Sequence, residues 1–109
     1  MNLSSIGKRI RKYREAKGWR QEDFAEKIGL SVTYTGMIER GEKVPKLETF
    51  ITIANVLEVS ADVLLADVLL TGYTVKSSEM TEKIAFLAPF DRDRIYSVVD
   101  TLIQYEKKK

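Results

Sequence analysis

The side chains that could do chemistry in this sequence are mainly cations and hydrogen-bonding groups. The 109 residues contain no cysteine and no histidine. Their lack excludes disulfides, the usual zinc ligand sets, Cys or His nucleophiles and histidine general bases. We therefore expect a protein that is not an enzyme and that needs no metal and no cofactor.

The charges are unevenly distributed along the chain. The formal net charge is only +2. Between residues 8 and 20, however, the single anion Glu15 stands among seven cations: Lys8, Arg9, Arg11, Lys12, Arg14, Lys17 and Arg20. Such a run is typical of a solvated helix face, or of a surface that attracts phosphate. The run alone leaves both interpretations open.

Helical periodicity predicts the elements that carry these residues. The spacing of Leu3, Ile6, Ile10 and Tyr13 predicts a first helix that ends at Lys17-Gly18. Its remaining faces carry the cations.

Two further helices follow at close spacing. The second runs from Gln21 to Ile28 and stops at Gly29, and Ser31 caps a third helix of about ten residues that ends at Gly41. A link of about three residues forces the two helices to cross steeply, which is the geometry of a helix-turn-helix. Trp19 and Phe24 fit the apolar stripes and are expected in the core.

The middle of the chain predicts two more helices. The fourth has an inward face that should close the core, formed by Leu47, Phe50, Ile51, Ala54 and Leu57. Ser60 caps a short fifth helix through Leu65.

The C-terminal third predicts a helical hairpin after a linker. Residues 71–78 are rich in Gly, Thr and Ser and predict a linker. Two helices follow, at about 79–87 and 92–105. The second has Asp91 as its N-cap and an inward stripe of Ile95, Val98, Val99 and Leu102. The expected fold is all-α, with a five-helix domain over residues 1–70, the linker 71–78 and a hairpin over 79–109.

A specific combination of motifs lies between the first and third helices. Arg14-Glu15-x-Lys17-Gly18 is followed by Gln21-Glu22-x-x-Ala25, the turn residue Gly29 and Ile38-Glu39-Arg40-Gly41. Together, over about residues 5 to 66, the sequence resembles the phage-repressor or Cro type of helix-turn-helix, also called the xenobiotic-response-element family. The resemblance implies a bacterial or phage-like transcriptional regulator that binds double-stranded DNA. It further implies a repressor that binds a palindromic operator as a homodimer. A cytoplasmic location is expected because the amino terminus lacks a signal-peptide pattern and the chain has no run of about 18 apolar residues.

Three motif residues have physical reasons for their identity. Ala25 lies where the second and third helices approach most closely, so a larger side chain would overpack the contact. Gly29 takes the positive φ of a tight turn. Ile38 anchors the third helix to the core and leaves its neighbours free to face outward.

The resemblance also assigns contacts with DNA. It places the amino-terminal half of the third helix, residues 31–40, in the major groove, with outward side chains that contact bases: Val32, Thr33, Tyr34 and Met37. The expected phosphate contacts are Gln21, Arg40 and Lys43, followed by Arg11 and Arg20. For Tyr34, packing against a neighbour and contact with DNA remain equally open.

The resemblance further implies a buried ion pair between Arg14 and Glu39 that bridges the first and third helices.

Two residues depart from the family pattern. Thr35 replaces an apolar anchor, so its hydroxyl must bond back to a backbone carbonyl or be partly exposed. Gly36 stands inside the recognition helix at a cost of about 1 kcal/mol relative to Ala, and we expect it to let a DNA phosphate or base come close.

Several alternatives concern the C-terminal helices. They either add core to the first domain or form a dimer, and we favour a dimer because their apolar residues exceed what one hairpin can bury. In the main alternative function, these helices bind another protein, as in an antitoxin or a partner-binding regulator. A self-cleaving Ser–Lys dyad is disfavoured because too few residues remain for a peptidase domain. No membrane segment and no small-molecule ligand are expected.

Overall fold

The computed structural model describes residues 2–108, which form seven helices: α1 (Ser4–Ala16), α2 (Gln21–Ile28), α3 (Val32–Glu39), α4 (Leu47–Leu57), α5 (Ala61–Leu64), α6 (Tyr73–Ala85) and α7 (Pro89–Lys107). These described residues contain no β-strand. The predicted all-α fold is therefore confirmed.

Local signals set the bounds of α2 and α3. Gly29 adopts a left-handed conformation with φ 72° and ends α2 as predicted. The Ser31 hydroxyl accepts the Tyr34 backbone N–H at 3.1 Å and caps α3. Helix α3 ends at Glu39, slightly before the predicted end at Gly41.

One hydrophobic core joins the first five helices. Helix α1 packs on α3, α4 and α5, while α2 packs on α3 and α4. The buried cluster contains Ile6, Ile10, Phe24, Ile28, Ile38, Ile53, Leu57 and Leu64. Trp19 packs against this cluster and stacks on Phe24 with 6.3 Å between ring centroids, as expected for core residues.

Helix α4 has a different inward face from the predicted one. Leu57 is buried, and Phe50 packs against the core as expected. Leu47 and Ile51, however, are 73% and 50% exposed, and the fully buried residue is Ile53, which the predicted stripe omitted. Because apolar residues occupy more than one side of this helix, their periodicity predicted the helix but not the side that faces the core.

The chain divides into two compact units, one ending at Val75 and the other beginning at Lys76. The boundary lies inside the predicted linker, but this segment is helical from Tyr73 onward, so the expectation of a non-helical linker is wrong. Ser and Thr are only mildly unfavourable in helices, and the segment without an α-helix, between α5 and α6, ends before Tyr73.

Helix α7 also differs from its prediction. Its N-cap is Ala88 and Pro89 is its first residue, so the prediction of Asp91 as N-cap is wrong. Proline is favourable at this position because its fixed φ suits a helix start. No residue of α7 is buried, and its predicted inward stripe includes Val99 and Leu102, which are 44% and 57% exposed. Among residues 2–108, no helix is long and apolar enough to cross a membrane.

Candidate nucleic-acid interface

Helices α2 and α3 form a rigid frame. Ala25 and Ile38 are buried, at 1% and 2% exposure, where the two helices meet the core. Thr35 is equally buried, and its hydroxyl donates to the Ser31 carbonyl oxygen at 2.8 Å. The expectation that this hydroxyl bonds back to the backbone is confirmed, which explains how a polar residue is accommodated at an apolar position.

The outward face of α3 lies at its amino-terminal half. Val32 is 47% exposed and Thr33 is also exposed. Met37 is half-buried. Tyr34 is half-buried and packs against the core, so part of this side chain has a structural role. The side chains that α3 offers most fully to a ligand are therefore Val32 and Thr33.

A buried ion pair connects α1 to the end of α3. The Arg14 guanidinium donates from Nε to Glu39 Oε2 at 2.8 Å and from Nη2 to Glu39 Oε1 at 3.0 Å. Its Nη1 donates to the Trp19 carbonyl oxygen at 2.8 Å. The hydrogen bond with Glu39 is the main cause that raises the pKa of Arg14 above its ordinary value. The pair thus fixes α3 relative to α1.

Gln21 joins the same network from the first residue of α2. Its Nε2 donates to Glu39 Oε1 at 3.1 Å. This hydrogen bond holds the amide between the amino terminus of α2 and the carboxyl end of α3. A phosphate near this helix terminus would meet backbone N–H groups and the positive end of the helix dipole.

Gly36 makes room for two side chains of the site. A Cβ at this position would lie 2.8 Å from Arg40 Nη1 and 3.4 Å from Gln21 Oε1. The residue is buried. In this structure the glycine thus lets Arg40 and Gln21 lie close to α3.

The candidate phosphate-binding arginines all pair with nearby carboxylates. Arg11 Nε donates to Glu15 Oε1 at 2.7 Å. Arg20 Nη1 lies 2.9 Å from Glu22 Oε1, and its Nε lies 3.3 Å from Asp23 Oδ2. Hydrogen bonding to Asp23 raises the pKa of Arg20. Exposed pairs of this kind are weak and can exchange partners.

Two further cations lie beyond the end of α3. Arg40 Nη2 lies 2.9 Å from Glu42 Oε2. Lys43 is exposed. Both residues are therefore accessible to an anion beside the recognition helix.

Part of the cation run at residues 8–20 is engaged in contacts within the folded unit. Several of its members bond to other elements of the same unit: Arg9 to Asp67 and the Val63 carbonyl, Arg14 to Glu39, and Lys17 to Glu58. Much of the run therefore links α1 to the surrounding helices. This structural role was not apparent from the charges alone.

Sequence reasoning also missed Gly7. A Cβ at this residue would lie 2.1 Å from the Ile38 carbonyl oxygen and 2.7 Å from that of Glu39. Helix α1 therefore crosses the end of α3 at a distance that only glycine permits. A glycine within an amphipathic helix pattern was the available signal, because such a residue often marks a close approach.

The arrangement is suited to noncovalent recognition. It combines an exposed helix end with cations and hydrogen-bond donors, which are the groups that contact base edges and phosphates. Within residues 2–108, no cluster of His, Cys, Asp or Glu could hold a metal ion.

A helix-turn-helix family model matches residues 10–64 of the chain. The HTH-type transcriptional regulator YazB of Bacillus subtilis (strain 168) is 47% identical over 62 residues, which cover 57% of this chain and 90% of YazB. The HTH-type transcriptional regulator SinR of the same organism is 34% identical over 80 residues, which cover 72% of each protein.

Solved structures agree with these sequence relationships. The restriction-modification controller protein C.AhdI from Aeromonas hydrophila has a TM-score of 0.54 and 35% identity, covering 57% of this chain and 94% of that protein. The structure of a SinR/SinI complex has a TM-score of 0.53 and 24% identity over 95% of this chain and 99% of that chain, which shows likeness in fold.

The segment that the family model matches contains the α2–α3 frame, the exposed end of α3 and the Arg14–Glu39 pair. The chain belongs to the phage-repressor type of helix-turn-helix transcriptional regulators and carries a DNA-binding domain of that family.

Proposed function

We propose that this regulator is a cytoplasmic repressor that binds a palindromic operator as a homodimer, with the amino-terminal half of α3 in the major groove. The observation that carries the proposal is the contrast between the two ends of α3. Val32 and Thr33 are exposed, whereas Ile38 and Glu39 are buried against the other helices. A helix held in this way presents its outward side chains at a fixed depth in the groove.

The exposed residues have complementary chemistry for base recognition. The Thr33 hydroxyl can donate to or accept from a base edge, and Val32 can contact a thymine methyl group. Tyr34 and Met37 are half-buried, so their contacts with bases would come from their exposed parts. These four residues form the proposed base-reading set.

The phosphate contacts come from the residues around this set. Gln21 and Arg40 lie together over Gly36, and Lys43 follows in the next turn. Arg11 and Arg20 would add contacts if DNA phosphates replace their carboxylate partners. Phosphate contacts of this kind fix the register of the protein on DNA without reading its sequence.

We propose that the C-terminal unit forms the dimer. Many of its apolar side chains are exposed, among them Phe86, Phe90, Val98, Val99 and Leu102. A two-fold operator requires two copies of the recognition helix, and a second copy of this hairpin has the matching apolar surface.

The proposal is tested by fluorescence anisotropy of labelled DNA from the region upstream of the protein's own gene. A shuffled sequence of the same composition serves as control, at two salt concentrations. We expect a specific-to-shuffled affinity ratio of about a thousand or more, with affinity for both DNAs falling steeply with salt. The proposal would be contradicted if the protein bound the upstream and shuffled DNAs equally and weakly, and if DNA selected from a random pool bound no more tightly.

A second candidate function is regulation through a protein partner. It is favoured by the exposed apolar side chains of α7 and by the likeness in fold to SinR, which was solved in a complex with SinI. The chain should then form a stable heterocomplex when isolated from its own cells at native expression level. Elution as a homodimer without a co-purifying protein would count against this candidate.

A further inference from the structure

The guanidinium of Arg40 is paired with Glu42 and lies beside Gly36 of α3. Its Nε and Nη2 donate to Glu42 Oε2 at 3.2 and 2.9 Å. Its Nη1 lies 2.8 Å from the position that a Cβ on Gly36 would take, close to the Gln21 amide. The only carboxylate that these hydrogen bonds give Arg40 is thus Glu42, two residues away in the sequence.

The turn after α3 fixes Glu42 in this position. Gly41 has φ 79°, and its N–H donates to the Ile38 carbonyl oxygen at 3.0 Å. The Glu42 N–H donates to the Met37 carbonyl oxygen at 2.9 Å. These two hydrogen bonds define a Schellman motif, which closes the helix and places Arg40 and Glu42 on either side of the glycine. The proximity of the pair therefore follows from the backbone.

We propose that Glu42 competes with DNA phosphate for Arg40 and so lowers the affinity of the protein for DNA. The inference rests on the proposed DNA-binding function. Two guanidinium N–H groups of Arg40 converge on the single oxygen Glu42 Oε2, and a phosphate oxygen can accept from the same two groups. Arg40 must release Glu42 before those groups can bind a phosphate.

The exposure of the pair makes this competition effective. The side chains of Arg40 and Glu42 are 56% and 55% exposed, so the pair is weak enough for a phosphate to replace it. The buried Arg14–Glu39 pair cannot exchange in this way, because its side chains are only 10% and 1% exposed. Exchange at Arg40 leaves the folded frame intact and changes only the strength of binding.

The test compares the E42Q variant with the wild-type protein, using the anisotropy assay with operator and shuffled DNA. We expect E42Q to bind both DNAs about two- to fivefold more tightly, as fits the loss of one exposed ion pair. The E82Q variant is the matched control. It removes the same charge from an exposed residue of α6, and corrects for the change in net charge.

A double-mutant cycle decides whether Glu42 acts through Arg40. In an R40Q background, the effect of E42Q should fall to that of E82Q. The proposal is overturned if E42Q tightens binding equally in the R40Q background, since Glu42 would then repel DNA directly. It is also overturned if E42Q weakens binding, or matches E82Q in the wild-type background. Preference for the operator is measured separately on the wild-type protein, so failure of sequence recognition would not be confused with failure of this inference.

Discussion

Arg14 and Glu39 stand 25 residues apart in the sequence and meet in a buried ion pair with two hydrogen bonds, at 2.8 and 3.0 Å. Glu39 accepts a third hydrogen bond from Gln21. One carboxylate thereby joins the first three helices at the point where the recognition helix ends. No buried polar side-chain atom of the described residues lacks a hydrogen-bond partner.

Truncation of either member of this pair should destabilise the fold. In R14A or E39A the remaining charge is buried without its partner, and we expect a loss of about 3–5 kcal/mol in the free energy of unfolding. Urea denaturation measures this loss. The double variant R14M/E39L should retain more stability than the sum of the two single losses predicts, because it leaves no unpaired charge. Strictly additive losses would contradict this account.

Substitution by alanine should change the stability of the fold in opposite directions at the two glycines within α1 and α3. In G7A the new Cβ meets the Ile38 carbonyl oxygen at 2.1 Å, and backbone must move, so we expect a loss of about 1–3 kcal/mol or more. In G36A the nearest atom is the flexible end of Arg40, at 2.8 Å. Helix propensity then favours alanine by up to about 1 kcal/mol. Thermal and urea unfolding of both variants test the contrast, and a less stable G36A would contradict it.

The same G36A variant should bind DNA less tightly although it folds. The methyl group displaces Arg40 and crowds the Gln21 amide, which are both proposed phosphate contacts. Anisotropy with operator and shuffled DNA should show weaker binding to both. Unchanged affinity for both DNAs would show that the position of these two side chains over Gly36 does not matter for binding.

One experiment should distinguish the effects of base-reading residues on DNA affinity from those of phosphate-binding residues. T33A should lose about 1 kcal/mol of affinity for the operator and little for shuffled DNA, because a hydrogen bond to a base is specific. K43Q should weaken binding to both and reduce the slope of log affinity against log salt concentration by about 1. If T33A weakens both DNAs equally, Thr33 is not a base contact.

The Asp23 carboxylate should stabilise the fold at neutral but not at acidic pH. It accepts the Arg20 backbone N–H at 3.0 Å, and this hydrogen bond is the main cause that lowers the pKa of Asp23. A pKa lower in the folded than in the unfolded state adds stability above the unfolded value, and this is lost as the pH falls through the folded value. The difference in urea midpoint between wild type and D23N should therefore be full at pH 7 and shrink below about pH 4. A difference that is constant across this range would contradict the assignment.

Disruption of the apolar face of α7 should produce a monomer. Leu102 is 57% exposed, so L102D should leave the helices formed while it disfavours association. The control S97D alters an exposed polar residue of the same helix. Analytical ultracentrifugation should give a monomer for L102D and a dimer for S97D, with weaker operator binding only for L102D. A dimeric L102D would place the dimer contact elsewhere.

The sequence predicted α2 and the start of α3 well because their signals are local. Gly29 and Ser31 each determine the backbone at their own position, whatever packs nearby. In contrast, the sequence offers more than one candidate for the inward face of α4 and for the first residue of α7. Leu47 and Ile51 are as apolar as Ile53, and Asp91 is a good cap that Pro89 precedes. The choice between such residues depends on tertiary packing and on the helix start, which periodicity does not report.

The Arg14–Glu39 pair of the candidate site was predicted with both of its members, but other contacts of the site were not. The resemblance identified Gln21, Arg14 and Glu39, whereas the hydrogen bond from Gln21 to Glu39 depends on the crossing of α2 and α3. The pairing of Arg40 with Glu42 likewise depends on the backbone turn at Gly41. Such contacts need coordinates, because several rotamers of each long side chain suit the same sequence.

The contrast between the exposed amino-terminal end and the buried carboxyl end of α3 also has a practical consequence for protein engineering. Residues 32 and 33 contribute little to the core, so a combinatorial library at these positions can be screened for new operator sequences on an unchanged scaffold. Grafting a whole recognition helix from a relative is more demanding. The donor helix must carry a small residue at position 36 and a carboxylate at position 39, or the acceptor loses the contacts that hold the graft in place.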